Sequence, residues 1–231
     1  EHKVIILSDE IYGELHFKGQ HVSIARFYPE GTIISSGLSK WCGAGGWRLG
    51  AFCFPQSLRW LLDAMAVVAS ETFTSTSAPI QFAAVRAFRG GTQIERYLWN
   101  SRRLLRGLAR EVARRLDSAG LRVVPPAGAF YVFPDFSAHR DRFAERGITT
   151  SDELCRRLLA ETGVAMLPGT AFGRPPDELT VRIAYVDFDG ARALTAVEQL
   201  GPEGTIDKEF LGYYCSNVLE ALDRLTDWLN R

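Results

Sequence analysis

In the stretch SSGLSKWCGAGGWRLG, residues 35–50, a single lysine, Lys40, stands between a serine-rich run and a glycine-rich one, and Arg48 follows eight residues later. A lysine amine that is partly neutral and aimed at a carbonyl forms an imine, and nearby positive charge or loss of water makes it neutral enough to do so. An arginine fork suits a phosphate dianion. Gly43, Gly45 and Gly46 permit positive φ angles and close backbone approach. Together these residues read as a site for a phosphorylated group attached through the lysine. Each alone has a plainer explanation: a surface lysine, and a flexible hairpin with Arg48 in water.

Two further segments carry candidates. In SDEIYGEL, Asp9 and Tyr12 lie three apart just past an apolar run. A carboxylate there keeps a heteroaromatic nitrogen protonated and a phenol hydrogen-bonds an oxyanion beside it; the competing reading is an acidic helix cap at Asp9 or Glu10 followed by a packed tyrosine. In LTVRIAYVD, alternation puts Val181, Ile183 and Tyr185 on one face and Arg182 on the other, beside Ala184 and Val186. A partly buried arginine there needs an anion, best a bidentate carboxylate, whereas on an edge strand it sits in water. Trp41, Trp47 and Phe73 are candidates to line an apolar side-chain pocket, with ordinary core packing as the alternative.

The elements that must position these residues follow from the apolar pattern. KVIILSDE, GTIISSG and LGAFCFP read as buried strands of an α/β sheet, and Asp9 and the Ser35 to Lys40 segment stand at carboxyl ends, where open α/β sheets bind ligands. Helical stretches follow Pro55 and run over Ile80–Phe88, separated by the polar break SETFTSTSAP. After Gly90 and Gly91 an amphipathic helix is expected over 92–119, stopped by Gly120. It reads as the connector between residues 1–91 and a small α/β unit over 120–231. In that unit LRVV, GAFYVFPDF, GVAMLPG and LTVRIAYVD read as strands, and helices are expected near 151–161, 190–200 and 214–229.

Bulk properties narrow the function. The 231 residues can bury a sizeable core, and 27 basic residues balance 27 acidic ones, so no overall field favours nucleic acid or an anionic membrane. The arginine-rich stretch RRLLRGLAREVARR carries Leu105, Leu108, Val112 and Leu116 at helical spacing, the pattern of a core-facing stripe with a solvated basic face. Four scattered cysteines and four histidines lack metal-ligand spacing, so no metal site is expected and a reducing, cytoplasmic location is. No run approaches the roughly 18 apolar residues of a membrane span. The chain opens at Glu1, and a strand-like run begins at Val4 without lead-in, as in the later part of a longer protein.

In order, SDEIY, SGLSK with GWRLG, PAGAFYVFPDF with LPGTAFG, and VRIAY resemble the class I/II aminotransferases, from Ser8 to about Asp189. The resemblance implies the fold type I of pyridoxal phosphate (PLP)-dependent transferases: part of the large-domain α/β sheet, a long connecting helix and a small C-terminal α/β domain. It implies PLP held covalently by Lys40, its ring nitrogen paired with Asp9, its 3-oxygen bonded by Tyr12 and its phosphate held by Arg48. Arg182 is implied to clamp the substrate α-carboxylate. The implied reaction moves an amino group between an amino acid and a 2-oxo acid, in a homodimer when the protein is full length.

Two departures from the family pattern stand out. Gly37 occupies the place three before the lysine where many members have serine, and Ser36 is preferred over Ser39 as the substitute hydroxyl for the phosphate. The family's amino-terminal half, with its phosphate loop, the aromatic residue that stacks on the cofactor and an asparagine near the 3-oxygen, is absent from these 231 residues, so exposed apolar faces, weak PLP binding and little or no transaminase activity of this piece alone are expected. Alternative readings are a PLP-dependent carbon–sulfur lyase, an aminotransferase-like sensor domain of a transcription regulator, and a truncated non-catalytic product.

Overall fold

A computed structural model describes residues 4–18 and 21–231. Lys3, which opens the first expected strand, lies outside the described residues. The chain divides into two compact units, Glu1–Trp99 and Asn100–Arg231.

The first unit is built on a three-stranded sheet of β1 (Ile6–Asp9), β2 (Thr32–Gly37) and β3 (Gly50–Cys53), in that order. β1 and β2 are parallel, with Asp9 opposite Ser35, whereas β3 returns antiparallel, with Gly50 opposite Gly37. The carboxyl ends of β1 and β2 therefore lie together, and residues 38–49 form the loop at that same end. Gly37 is required by close approach: a Cβ there would stand 2.7 Å from the Leu49 carbonyl oxygen. This is a physical reason for the glycine three residues before Lys40, where the family resemblance leads one to expect serine. Helices α1 (Arg59–Thr72) and α2 (Ala78–Phe88) follow.

The expected polar break after α1 is shorter than its composition suggests, because Ser70, Glu71 and Thr72 remain helical. Their hydroxyls bond back into the helix, Ser70 Oγ to the Val67 carbonyl at 2.8 Å and Thr72 Oγ1 to that of Val68 at 2.9 Å. The chain turns instead at Phe73 and Thr74, the latter at φ 68°.

Helix α3 (Thr92–Ser118) contains the point where the two units divide. Gly120 at φ 79° ends it, and the Leu121 amide donates back to the Leu116 carbonyl at 3.1 Å. Leu105, Leu108, Val112 and Leu116 are buried as their spacing predicts. The opposite face is less solvated than expected. Arg103 is buried and donates to the Gly204 carbonyl at 2.6 Å, and buried Glu111 accepts from Arg114 and Arg115. The Arg114 hydrogen bond, against the opposing cost of burial and with help from Arg115, brings the Glu111 pKa down to about 2.

The second unit contains β4 (Tyr131–Val132), β5 (Leu167–Pro168) and β6 (Val181–Ala184), antiparallel in the order β4-β6-β5. Around them stand α4 (Arg140–Glu145), α5 (Ser151–Thr162), α6 (Gly190–Gln199), α7 (Lys208–Tyr214) and α8 (Ser216–Leu229). The strands are shorter than the apolar runs that carry them, and LRVV contributes a single bridge, Arg122 to Asp135. The helix expected over 214–229 is α8, beginning two residues later at Ser216, and an unexpected helix, α7, precedes it and ends at Tyr214. Helix α5 is fixed by a capping box in which Thr150 and Glu153 each bond the other's backbone amide.

Candidate functional site

Lys40 and Arg48 lie on the loop that joins β2 to β3. The loop is closed at its base by the Leu38 amide, which donates to the Leu49 carbonyl at 3.3 Å, and across its middle by the Ala44 amide to the Leu38 carbonyl at 3.1 Å. Inside it the Gly43 amide donates to the Lys40 carbonyl at 3.2 Å, with Gly43 at φ 64°. Leu38, Trp41 and Leu49 are buried and hold the loop down, whereas Lys40 is only half-buried. The eight-residue spacing is thus the spacing of two points on one closed loop.

Arg48 adopts φ 55°, ψ 50°, the left-handed region that costs a side chain with a Cβ of order 1 kcal/mol or more. Its Nη1 donates to the Gly45 carbonyl at 2.8 Å, which holds the guanidinium over the loop's own glycines while leaving it exposed. Backbone strain at an arginine beside a glycine-rich turn is the kind of feature that marks a binding position.

The Lys40 ammonium stands 5.8 Å from the centre of the Tyr12 ring. Tyr12 belongs to the turn after β1, which Asp9 opens by accepting the Ile11 amide at 3.3 Å and which the Gly13 amide closes on the Glu10 carbonyl at 2.9 Å. Asp9 is exposed at the carboxyl end of its strand. An amine, a phenol and a carboxylate thus gather at the end of the sheet where the Arg48 loop also lies.

Ser36 is placed differently. It lines a cavity of about 260 Å³ with Glu10, His21, Ile34 and Trp41, and among the described residues Lys40, Tyr12 and Arg48 are not part of that lining. Trp41 and Phe73 line different cavities among the described residues. Trp41 is buried against Phe88, ring centres 5.9 Å apart, whereas Trp47 and Phe73 are exposed, because their loop and helix end lack a covering layer in this chain. Burial raises the pKa of the Cys42 thiol, two residues past Lys40.

Arg182 lies in the second unit, on β6 opposite Leu167. Val181, Ile183 and Tyr185 are buried on the other face, as alternation predicts. The Arg182 guanidinium is stacked between Tyr131 at 4.4 Å and Phe172 at 4.5 Å from the ring centres, and Phe133 braces Phe172 edge-on at 5.6 Å. Among the described residues no carboxylate or carbonyl accepts a hydrogen bond from it. The two rings flank its guanidinium plane. Tyr131 and Phe172 stand inside PAGAFYVFPDF and LPGTAFG, so their presence was visible in the sequence while their pairing with Arg182 was not.

Two strands and a loop bring a lysine, a tyrosine, an aspartate and an arginine to one sheet end of the first unit, and the second unit holds an arginine without an acceptor among the described residues. The profile described as "Aminotransferase class I and II" matches residues 1–198, and the chain belongs to that family. It is 35% identical over 204 residues to an aspartate aminotransferase of Geobacillus stearothermophilus, covering 86% of this chain and 49% of that protein. An aromatic aminotransferase from Pyrococcus horikoshii OT3 superposes with a TM-score of 0.73 at 29% identity, over 99% of this chain and 52% of its own. An aspartate aminotransferase from Thermus thermophilus, solved with maleate, gives 0.72 at 29% identity, over 96% and 48%. The fold is that of the PLP-dependent aminotransferases, and the chain spans about half the length of the relatives it matches.

Proposed function

We propose that the complete protein is a PLP-dependent aminotransferase that moves an amino group from an amino acid to a 2-oxo acid. The observation that carries this reading is the approach of Lys40 to Tyr12 at the sheet end where Asp9 stands and from which the loop bearing Arg48 springs. The donor set fits the group: an amine for an aldehyde, a carboxylate for a pyridinium nitrogen, a phenol for a ring oxygen and a guanidinium for a phosphate. When bound, PLP supplies an electron sink that lets a proton leave the α-carbon of an attached amino acid.

In this reading Lys40 would hold the cofactor covalently at rest and, once free, its Nζ would carry a proton between the substrate α-carbon and the imine carbon on the cofactor side. Asp9 keeps the ring nitrogen protonated, and Tyr12 donates to the 3-oxygen. Arg48 pairs with the phosphate; Ser36, four residues before Lys40, is assigned the supporting hydroxyl on its nearness along the chain. Arg182 pairs with the substrate α-carboxylate, a role supported by its stacked guanidinium without a protein acceptor. A homodimer is the assembly the family resemblance favours. Four free cysteines support a reducing, cytoplasmic setting.

The test is an absorbance spectrum of the chain with PLP before and after borohydride, followed by peptide mapping. A stable adduct on Lys40 that vanishes in Lys40→Ala is expected; an adduct spread over surface lysines, in this chain and in the full-length protein alike, would sink the assignment. Because the chain spans half of a relative, turnover by these 231 residues alone is expected to be slight. Ammonia released from a sulfur amino acid without an acceptor oxo acid would instead identify a lyase.

A further inference from the structure

Glu10 lies between Asp9 and Tyr12, yet its side chain takes no part in the assignments above. Its backbone amide donates to the Ser35 carbonyl at 2.8 Å, which carries the β1–β2 pairing one residue beyond the strand, and its own carbonyl closes the turn by accepting the Gly13 amide. Its carboxylate, about one-tenth exposed, turns away to accept hydrogen bonds from Ser23 Oγ at 2.6 Å and His21 Nε2 at 2.8 Å. Ser23 is itself fixed, since its Oγ accepts from the Ala25 amide at 3.1 Å and caps the short helical turn Ile24–Arg26. The His21 ring covers Gly13 so closely that a Cβ there would stand 2.9 Å from the ring. Burial alone would raise the Glu10 pKa, but hydrogen bonds from Ser23, His21 and Ser8 outweigh it and hold the group below its ordinary value, so the bonded form is the ionised one.

We propose that Glu10, His21 and Ser23 form a positioning clip, which fastens the turn carrying Asp9 and Tyr12 to the segment that leads into β2. The proposal rests on the site reading above. A buried carboxylate with two fixed donors resists displacement far more than an exposed turn does, because freeing it would leave a buried charge short of partners. The turn is thereby held at its middle, while Asp9 and Tyr12 on either side remain directed to the sheet end. These three are positioning residues: they set where a carboxylate and a phenol stand without meeting cofactor or substrate.

Two measurements on the PLP-loaded chain test the clip in Glu10→Ala, His21→Ala, the milder Ser23→Ala and the conservative Glu10→Gln. Hydrogen exchange at the Ile11, Gly13 and Leu15 amides is expected to quicken about tenfold in the two larger truncations, less in the others, with β2 and β3 unchanged. The pH midpoint of the bound cofactor's absorbance change is expected to move by about one unit in Glu10→Ala and to be largely restored in Glu10→Gln. A merely structural loss lowers occupancy without moving that midpoint. Unchanged exchange in the turn, or exchange rising uniformly through the first unit, overturns the clip. Should the unsubstituted chain carry no cofactor on Lys40, the site reading fails separately, and exchange in the turn still decides the clip.

Discussion

The two units of this chain satisfy their apolar residues very differently. In the second, Leu154, Leu158, Leu179, Val181 and Trp228 are all at 0% exposure, and α8 alone buries six side chains. In the first, α1 buries none, α2 buries only Ala84, and every residue of β3 is exposed. Phe82 at 78% and Trp60 at 62% stand in water, and Leu49, Ala51, Phe73 and Phe88 line an open groove of about 760 Å³. Exposed apolar area on this scale marks a surface that another layer of polypeptide covers, and the chain spans half the length of its relatives. The lesson is one of division: the unit with the well-buried core carries Arg182, whereas the unit with most of the candidate chemistry leaves much of its apolar surface exposed.

That contrast can be broken by mutation. The largest effect is expected from Trp228→Ala, which removes a fully buried indole whose Nε1 donates to Glu161 at 2.6 Å. A loss of about 3–5 kcal/mol is expected in urea unfolding of the second unit, with exchange in the first unchanged; a loss shared equally would mean that the two units unfold together. Glu111 comes next. Its folded pKa is depressed from 4.5 to about 2, so its contribution, roughly 3 kcal/mol, is present above pH 4.5 and lost as pH falls through about 2. Glu111→Gln is expected to flatten that acid dependence, and an unchanged slope would place the loss elsewhere.

In the first unit Gly37→Ala is expected to cost about 1–3 kcal/mol, because the added methyl meets a backbone carbonyl rather than a yielding side chain. Exchange of the β2 and β3 amides would report it. The smallest effect sharpens the contrast most. Phe82→Ser, on a helix face with nothing over it here, is expected to change the stability of this chain by no more than about 0.5 kcal/mol while raising its solubility. A larger destabilisation would show Phe82 already covered in solution.

Much of the fold was legible because the relevant periodicities are local. Helix α3 could be read from its leucines and its glycine stop, and the β6 faces from alternation. The failures have physical causes. Helix α4 has one buried apolar residue, Phe143, and so no stripe to read. Helix α7 likewise buries only Leu211 and offers no stripe to read. The strand in GAFYVFPDF is cut short before Pro134, which lacks an amide to extend a ladder, and pairing resumes only at Asp135. At the site, Lys40, Arg48, Asp9 and Tyr12 were visible because their segments carry their own punctuation. His21 and Ser23 were not, since nothing local links them to Glu10 across the intervening chain, and the rings around Arg182 come from two separate segments.

The stacked guanidinium of Arg182 has a practical consequence. With no acceptor among the described residues, its counter-charge is drawn from solution, so the ionic composition of the medium becomes part of the second unit's chemistry. On the role proposed for Arg182, citrate or acetate is expected to compete there and to raise the apparent melting temperature roughly with the logarithm of its concentration above its Kd. A carboxylate-free medium is the reference state from which affinities of this chain are to be measured.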